Sequence, residues 1–476
     1  MAQGPTMGTL PPKDTLLKLV KESFQGFYSA YPLFDKTRFM SVCETLGTCI
    51  DDPGQWACLN VVLALTFQFE YETAEELQEL YDPDEYFRTA FALCGPLMTM
   101  HVTLWSIQAL LGMALVIQGS PTQGPTSLLI SAAMKLAHTM GLHRRCQNPD
   151  IGAAEVEERR RVFWIAYSLD KDLSLQMGQP SAQDDDDMDV ELPSDEDSTP
   201  PDAEQETGSC ALRFRAKLAM IQGRIYERLY SVKASKQAEA DRVLAATELE
   251  AMLQSWRASV PSKLVEGFQG HLSEIPTSET NPYPVILHLV YFNSLAMVYD
   301  ALPALPRYRE LPAPCKPAEL QLLAAPLVYA AEARKAIRLL QFTPPRGYAC
   351  IWAVLYIFVR AATRLLRDII DDPSAPTARP DLQLIEPLIV LLDALAQSPK
   401  GRQSERLGDM YRPCKELYGK AVSAVNRIDH AGIDWDQWIT CGQSQEWADG
   451  GEFDCNGVSG DFAFAVEQQF QESTAV

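Results

Sequence analysis

From about residue 14 to residue 430, apolar residues recur three and four positions apart in one long segment after another. That is the period of an α-helix that buries one face. Leu16, Leu17, Val20, Phe24 and Phe27 repeat in this way, as do Phe214, Leu218, Ile221, Ile225 and Leu229, and then Val243, Leu249, Leu253 and Trp256. Between residues 127 and 140, Leu128, Ala132, Leu136 and Met140 line one row, and Leu129, Ala133 and Ala137 the next. Further helical runs cover 285–302, 320–342, 349–370 and 382–396, with proline-rich turns at 303–317 and 373–380 between them. No alternating strand pattern and no internal repeat interrupts this series. The expected fold is therefore all-α.

Local chemistry marks several ends. Asp14 is the expected cap of a helix over 15–27, and Thr126 that of a helix over 127–140. Gly141 stands where a left-handed C-cap belongs. Thr73 with Glu76 forms a capping-box pattern. Residues 59–69 form a continuous apolar run, read as helix from its neighbours. Residues 101–119 predict a helix buried nearly all round. A long helix is expected over 155–177, with Glu155, Glu157 and Glu158 at its positive end. Gly178 and Pro180 stop it.

Charge narrows the function. The 476 residues carry a net charge of -22, opposite in sign to the basic surface that nucleic-acid backbones require. The 11 cysteines form no CxxC pair. Buried free thiols such as Cys94 and Cys350 are expected, not a disulfide framework. The first ten residues have no cationic and apolar signal pattern. The apolar runs 104–119 and 349–359 fall short of the roughly 20 residues that span a bilayer. The chain therefore reads as intracellular, soluble and without a membrane partner.

Catalytic motifs are absent: there is no nucleophile elbow, phosphate-binding loop, dinucleotide fingerprint or HExxH. His138 and His143 are five apart and so are not expected to share a helix face. Asp184–Asp187 reads as a solvated loop. In Arg159-Arg160-Arg161, Glu157 and Glu158 offer Arg161 intrahelical partners, and Trp164 offers Arg160 an indole face. No catalytic residue, cofactor or metal ligand is expected.

Two stretches break the composition. Residues 183–208 hold twelve acidic residues and no Lys or Arg, and the latter part is expected to be disordered. Residues 431–476 also lack Lys and Arg. There Asp434, Asp436, Glu446, Asp449 and Glu452 alternate with Trp435, Trp438, Trp447 and Phe453, the composition of an acidic activation segment.

Between residues 141 and 193 these features fall into a recognisable order. Gly141-Leu142-His143-Arg144 is followed by the run from Glu158 to Lys171, then by Met177-Gly178-Gln179-Pro180 and by Asp189-Val190-Glu191-Leu192-Pro193. This series resembles the fungal-specific transcription factor domain, or middle homology region. Tyr31-Pro32-Leu33-Phe34 with Phe39 resembles that family's opening motif. The resemblance runs over about residues 20–420 and is densest over 100–195.

It implies a helical regulatory domain of a nuclear, zinc-cluster-type regulator, controlling a metabolic or secondary-metabolite gene set. It also implies that Gly141, Leu142, His143, Arg160, Trp164, Asp170, Gly178, Pro180, Leu192 and Pro193 are architectural. The family's six-cysteine zinc cluster, which reads DNA, is not found in this sequence, so DNA contact is expected only indirectly or through such a missing module. Expected partners are other transcription regulators or coactivators, a small-molecule effector, and a second copy or related chain as dimer. The alternative is a helical domain repurposed as an enzyme or small-molecule binder in secondary metabolism. The expected organisation is a tail over 1–13, a core over 14–195, an acidic linker over 196–210, a further helical part over 211–430 and the acidic-aromatic tail over 431–476.

Overall fold

The computed structural model describes residues 10–24, 31–45, 52–69, 81–100, 102–121, 124–193, 206–261, 264, 283–302, 317–342 and 348–431. The capping-box pattern at Thr73, most of the acidic linker and the acidic-aromatic tail lie outside the described residues.

All regular structure among the described residues is helical. The helices are α1 (Lys13–Ser23), α2 (Lys36–Thr45), α3 (Pro53–Phe69), α4 (Pro83–Phe91), α5 (Cys94–Thr99), α6 (Leu104–Gln118), α7 (Thr126–Thr139) and α8 (Ala153–Met177). They continue with α9 (Glu206–Ile225), α10 (Glu239–Ser259), α11 (Tyr283–Asp300), α12 (Pro317–Arg338) and α13 (Tyr348–Asp371). The last are α14 (Ala378–Gln397), α15 (Pro399–Arg402) and α16 (Glu405–Ala431). Contacts divide the chain into two compact units, one made of residues 1–332 and 341–357, the other of 333–340 and 358–476.

In the first unit α6 is the central helix. Every residue from Leu104 to Ile117 is buried, as expected for a run apolar on all sides. It packs against α3, α7 and α8. Thr103 caps it, accepting from the Ser106 amide while Ser106 reciprocates. Gly112 is where α3 comes closest: a Cβ there would meet Val61 Cγ1 at 2.3 Å. The opening motif packs onto this core, with Leu33, Phe34 and Phe39 buried and the Phe34 and Phe39 rings against Trp105.

Two terminus expectations change, and so does one buried row. α1 begins at Lys13 after Pro12, without a side-chain cap, and Asp14 lies in its first turn, where the helix dipole favours an anion. Thr126 is inside α7, not its cap, because Pro125 takes the boundary position. Of the two apolar rows on α7, that of Leu129, Ala133 and Ala137 is buried, whereas Leu128 is 70% exposed. The helix turns Ile130 and Met134 inward instead.

In the second unit α14 packs along α16. Arg334 grips the buried Asp381 with two hydrogen bonds of 2.6 and 2.8 Å.

Candidate functional site

The motif residues meet on α8. Its last turn closes at Gly178, whose φ of +64° is the left-handed conformation that glycine adopts without a Cβ penalty. The Gln179 amide reaches back to the Ser174 carbonyl at 2.9 Å, which reverses the chain. Residues 181–191 then run back along α8 as an irregular strap. A matching reversal at Gly141, φ +70°, closes α7: the Leu142 amide donates to the Ala137 carbonyl, and Leu142 is buried.

Successive turns of α8 hold the strap. Asp170 is buried and accepts from the amides of Ala182 at 3.0 Å and Gln183 at 3.1 Å. Burial pushes its carboxyl upward, opposed by those two amides and by Lys171. Lys171 donates to Ser181 Oγ and to the Gln183 carbonyl, and pairs with Asp185 at 2.8 Å. Tyr167 donates to Asp185 at 2.9 Å. Desolvation and the adjacent carboxylate push its phenol upward, so it remains a donor. One turn earlier, the buried Trp164 donates its indole N–H to the Glu191 carbonyl at 2.7 Å. The rings of Phe163 and Tyr167 meet it edge-on.

The far end of the strap is pinned from two sides. The His143 carbonyl accepts from the amides of Asp189 and Val190, and Asp189 accepts from the Arg145 amide at 2.9 Å. Arg160 spans Glu157 at 2.6 Å and Glu191 at 2.7 Å. Leu192 packs against the core, and Arg213 holds the Pro193 carbonyl at 2.8 Å. Pro180 is exposed at the turn itself.

Several side-chain expectations are corrected here. Arg160 pairs with two carboxylates and not with the Trp164 face, because the strap brings Glu191 to it. Glu158 turns into the core, where Arg38 at 2.9 Å and Gln108 at 3.0 Å hold its carboxylate. Glu157 pairs with Arg160 at 2.6 Å. Asp185 in the acidic run is tied to Tyr167 and Lys171, whereas Asp186 and Asp187 are exposed. The reversal at Gly141 brings His143 back against His138, with ring centroids 5.0 Å apart, although the two do not share one helical face. His138 also meets the Gln183 side chain at 2.6 Å. Burial, then the neighbouring imidazole, lowers the His143 pKa.

Gln183 and Gln108 did not stand out in the sequence. The one available signal was polarity in an unexpected place: Gln108 interrupts an otherwise apolar helix. Its amide bridges the Leu33 carbonyl and Glu158, tying the opening motif to α8.

The assembly grips backbone: Trp164, Asp170 and Lys171 all bind main-chain atoms of the strap. Among the described residues no group of three or more His, Cys, Asp or Glu side chains is placed to hold a metal ion. Among them, too, no helix is long and apolar enough to cross a membrane.

A model of the fungal-specific transcription factor domain matches residues 21–258. An ABC-transporter-regulating transcription factor of Aspergillus fumigatus is 32% identical over 440 residues, covering 87% of this chain and 48% of that protein. A protein of the same description from Aspergillus oryzae is 33% identical over 448 residues, with the same coverage. The fusaridione A cluster transcription factor of Fusarium heterosporum is 27% identical over 431 residues, 88% of this chain and 79% of that protein. The chain spans about half the length of the two Aspergillus relatives. No solved structure matches it.

Proposed function

The chain belongs to the fungal-specific transcription factor domain family, and from that membership we propose that it is a regulatory domain that controls transcription in the nucleus through protein contacts. The observation that carries this reading is the use made of the signature residues. Trp164, Asp170, Arg160, Gly178 and Gly141 hold the strap and shape its turns. Their contacts shape and hold a surface segment. The names of the relatives suggest the class of target, genes for membrane transporters or for a metabolic cluster.

Output would pass through the acidic-aromatic residues 431–476. In this reading the acidic and aromatic residues of the segment, Trp435, Trp438, Trp447 and Phe453 among them, suit a coactivator with an apolar groove and a basic rim. A small-molecule effector and a dimer partner fit the same role.

The test is to tether the whole chain to an unrelated DNA-binding domain and read a reporter. Activation is expected, and alanine at Trp435, Trp438, Trp447 and Phe453 should remove it. Output equal to that of the empty DNA-binding domain, with the fusion protein present at normal levels, would overturn the reading.

A further inference from the structure

Apart from the strap, α4 and α5 give the first unit a second surface of defined chemistry. The two helices run on almost as one. Ala92 and Leu93 between them keep right-handed helical backbone, and the Leu97 amide donates to the Leu93 carbonyl at 2.9 Å. Tyr86, Ala90 and Leu97 recur at helical spacing and are buried, so one face is anchored on the core. Phe87, Phe91 and Met98 recur at the same spacing one position on, which turns them about 100° away from the anchored face.

That second row faces outward. Phe91 is 39% exposed, Met98 42% and Met100, just beyond, 64%. The rings of Phe87 and Phe91 lie 5.6 Å apart, and a Cβ on Gly95 would meet nothing within 4 Å. No charged residue interrupts positions 91–100. Single apolar residues scattered on a surface need no partner. An aligned row of Phe and Met points to one, because these side chains are enriched where proteins meet, and Met adapts its shape to what it meets.

Charge selects among the occupants. At the N-terminal end of the row, Asp82, Asp84 and Glu85 are exposed. Arg88 pairs with Asp82 at 3.1 Å, and among the described residues neither Asp84 nor Glu85 has an ion pair. Arg88 is also the one Lys or Arg in the sequence from position 39 to position 134. A second copy meeting this face through the same face would bring more carboxylates and no unpaired cation. Residues 431–476 contain no Lys or Arg and would be repelled. Anionic lipid headgroups and nucleic-acid phosphates would be repelled too. A protein segment that carries apolar side chains beside Lys or Arg fits both halves of the surface.

We propose that this row docks an amphipathic helix of another protein, with the apolar face of that helix on Phe87, Phe91 and Met98 and its Lys or Arg side chains on Asp84 and Glu85. The proposal rests on the regulatory reading only in taking that protein for a fellow regulator; the docking itself is independent of it.

The test is fluorescence anisotropy of two labelled amphipathic peptides, one built of Leu and Lys and one of Leu and Glu, titrated with the purified 476-residue chain. The Leu–Lys peptide is expected to bind at least tenfold more tightly than the Leu–Glu peptide. Phe91→Ser with Met98→Ser, both at exposed positions, should weaken it at least tenfold and leave the melting temperature nearly unchanged. Asp84→Lys with Glu85→Lys should weaken it as much and let the Leu–Glu peptide bind instead. Asp186→Lys with Asp187→Lys makes the same change of charge on the strap and should leave the Leu–Lys affinity within about twofold. The proposal is overturned if neither peptide binds, or if Phe91→Ser with Met98→Ser leaves binding unchanged. It is also overturned if the strap variant loses as much as the α4 variant, which would mark attraction to net charge alone. A dimer of the chain in sedimentation that Phe91→Ser with Met98→Ser dissolves would give the row to a second copy, and overturn it equally. Because binding is read on the isolated chain, failure here leaves the reporter result standing, and the reverse holds too.

Discussion

At the scale of single residues, Trp164 has two roles that substitutions separate. Trp164→Ala removes a buried indole and should destabilise the fold by about 3–5 kcal/mol, the usual loss for a large core aromatic. Trp164→Phe keeps most of the apolar contact but deprives the Glu191 carbonyl of its donor, and should lose about 1 kcal/mol. Denaturant melts of the two variants measure the difference. His143 gives a second expectation. Its folded pKa lies below the ordinary value, so in the window from that lowered value up to about 6.5 the unfolded chain binds more protons than the folded one. Stability should rise with pH through that window and be fully present above it. His143→Gln should flatten the melting temperature against pH over the same range. The sequence carried the burial of Trp164, which lies in a helix that is apolar around it. It did not carry the second partner of Arg160, because Glu191 is 31 positions away and reaches it only after the chain reverses at Gly178.

At the scale of elements, the close approach of α3 and α6 is the most sensitive contact. Gly112→Ala would drive a methyl group into Val61, a β-branched residue with little freedom to move. A loss of about 1–3 kcal/mol is expected. Val61→Ala alone should also destabilise. The double variant should lose less than the sum, and a melting-based double-mutant cycle reads that coupling. Gly178→Ala tests the strap from its turn. No side chain lies within 4 Å of the added methyl group, so the expected loss of about 1–2 kcal/mol comes from the left-handed backbone alone. Helix identity was plain in the sequence because period and length agree. The ends were less so: Pro12 and Pro125 take the boundary positions that capping chemistry alone predicts for Asp14 and Thr126, since a fixed φ competes with side-chain capping. The strap itself was invisible to periodicity, because a segment held through its backbone leaves no apolar pattern.

At the scale of the whole molecule, a net charge of -22 sets an expectation for DNA. Fluorescence anisotropy at physiological salt should find only weak binding of the isolated chain to duplex DNA, and the same weak binding to unrelated sequences. Tight, sequence-specific binding would show that the acidic balance misleads. The grip on the strap has a different consequence at this scale. The amides of Ala182, Gln183, Asp189 and Val190 and the carbonyls of Gln183 and Glu191 are atoms that almost any residue supplies. The frame therefore fixes where the strap runs while demanding little of the side chains that point away from α8. Asp186 and Asp187 are such outward positions, whereas Asp184 caps the short turn of the strap through its carboxylate. Substitutions at Asp186 and Asp187 leave the scaffold beneath unchanged, much as a rail accepts different fittings.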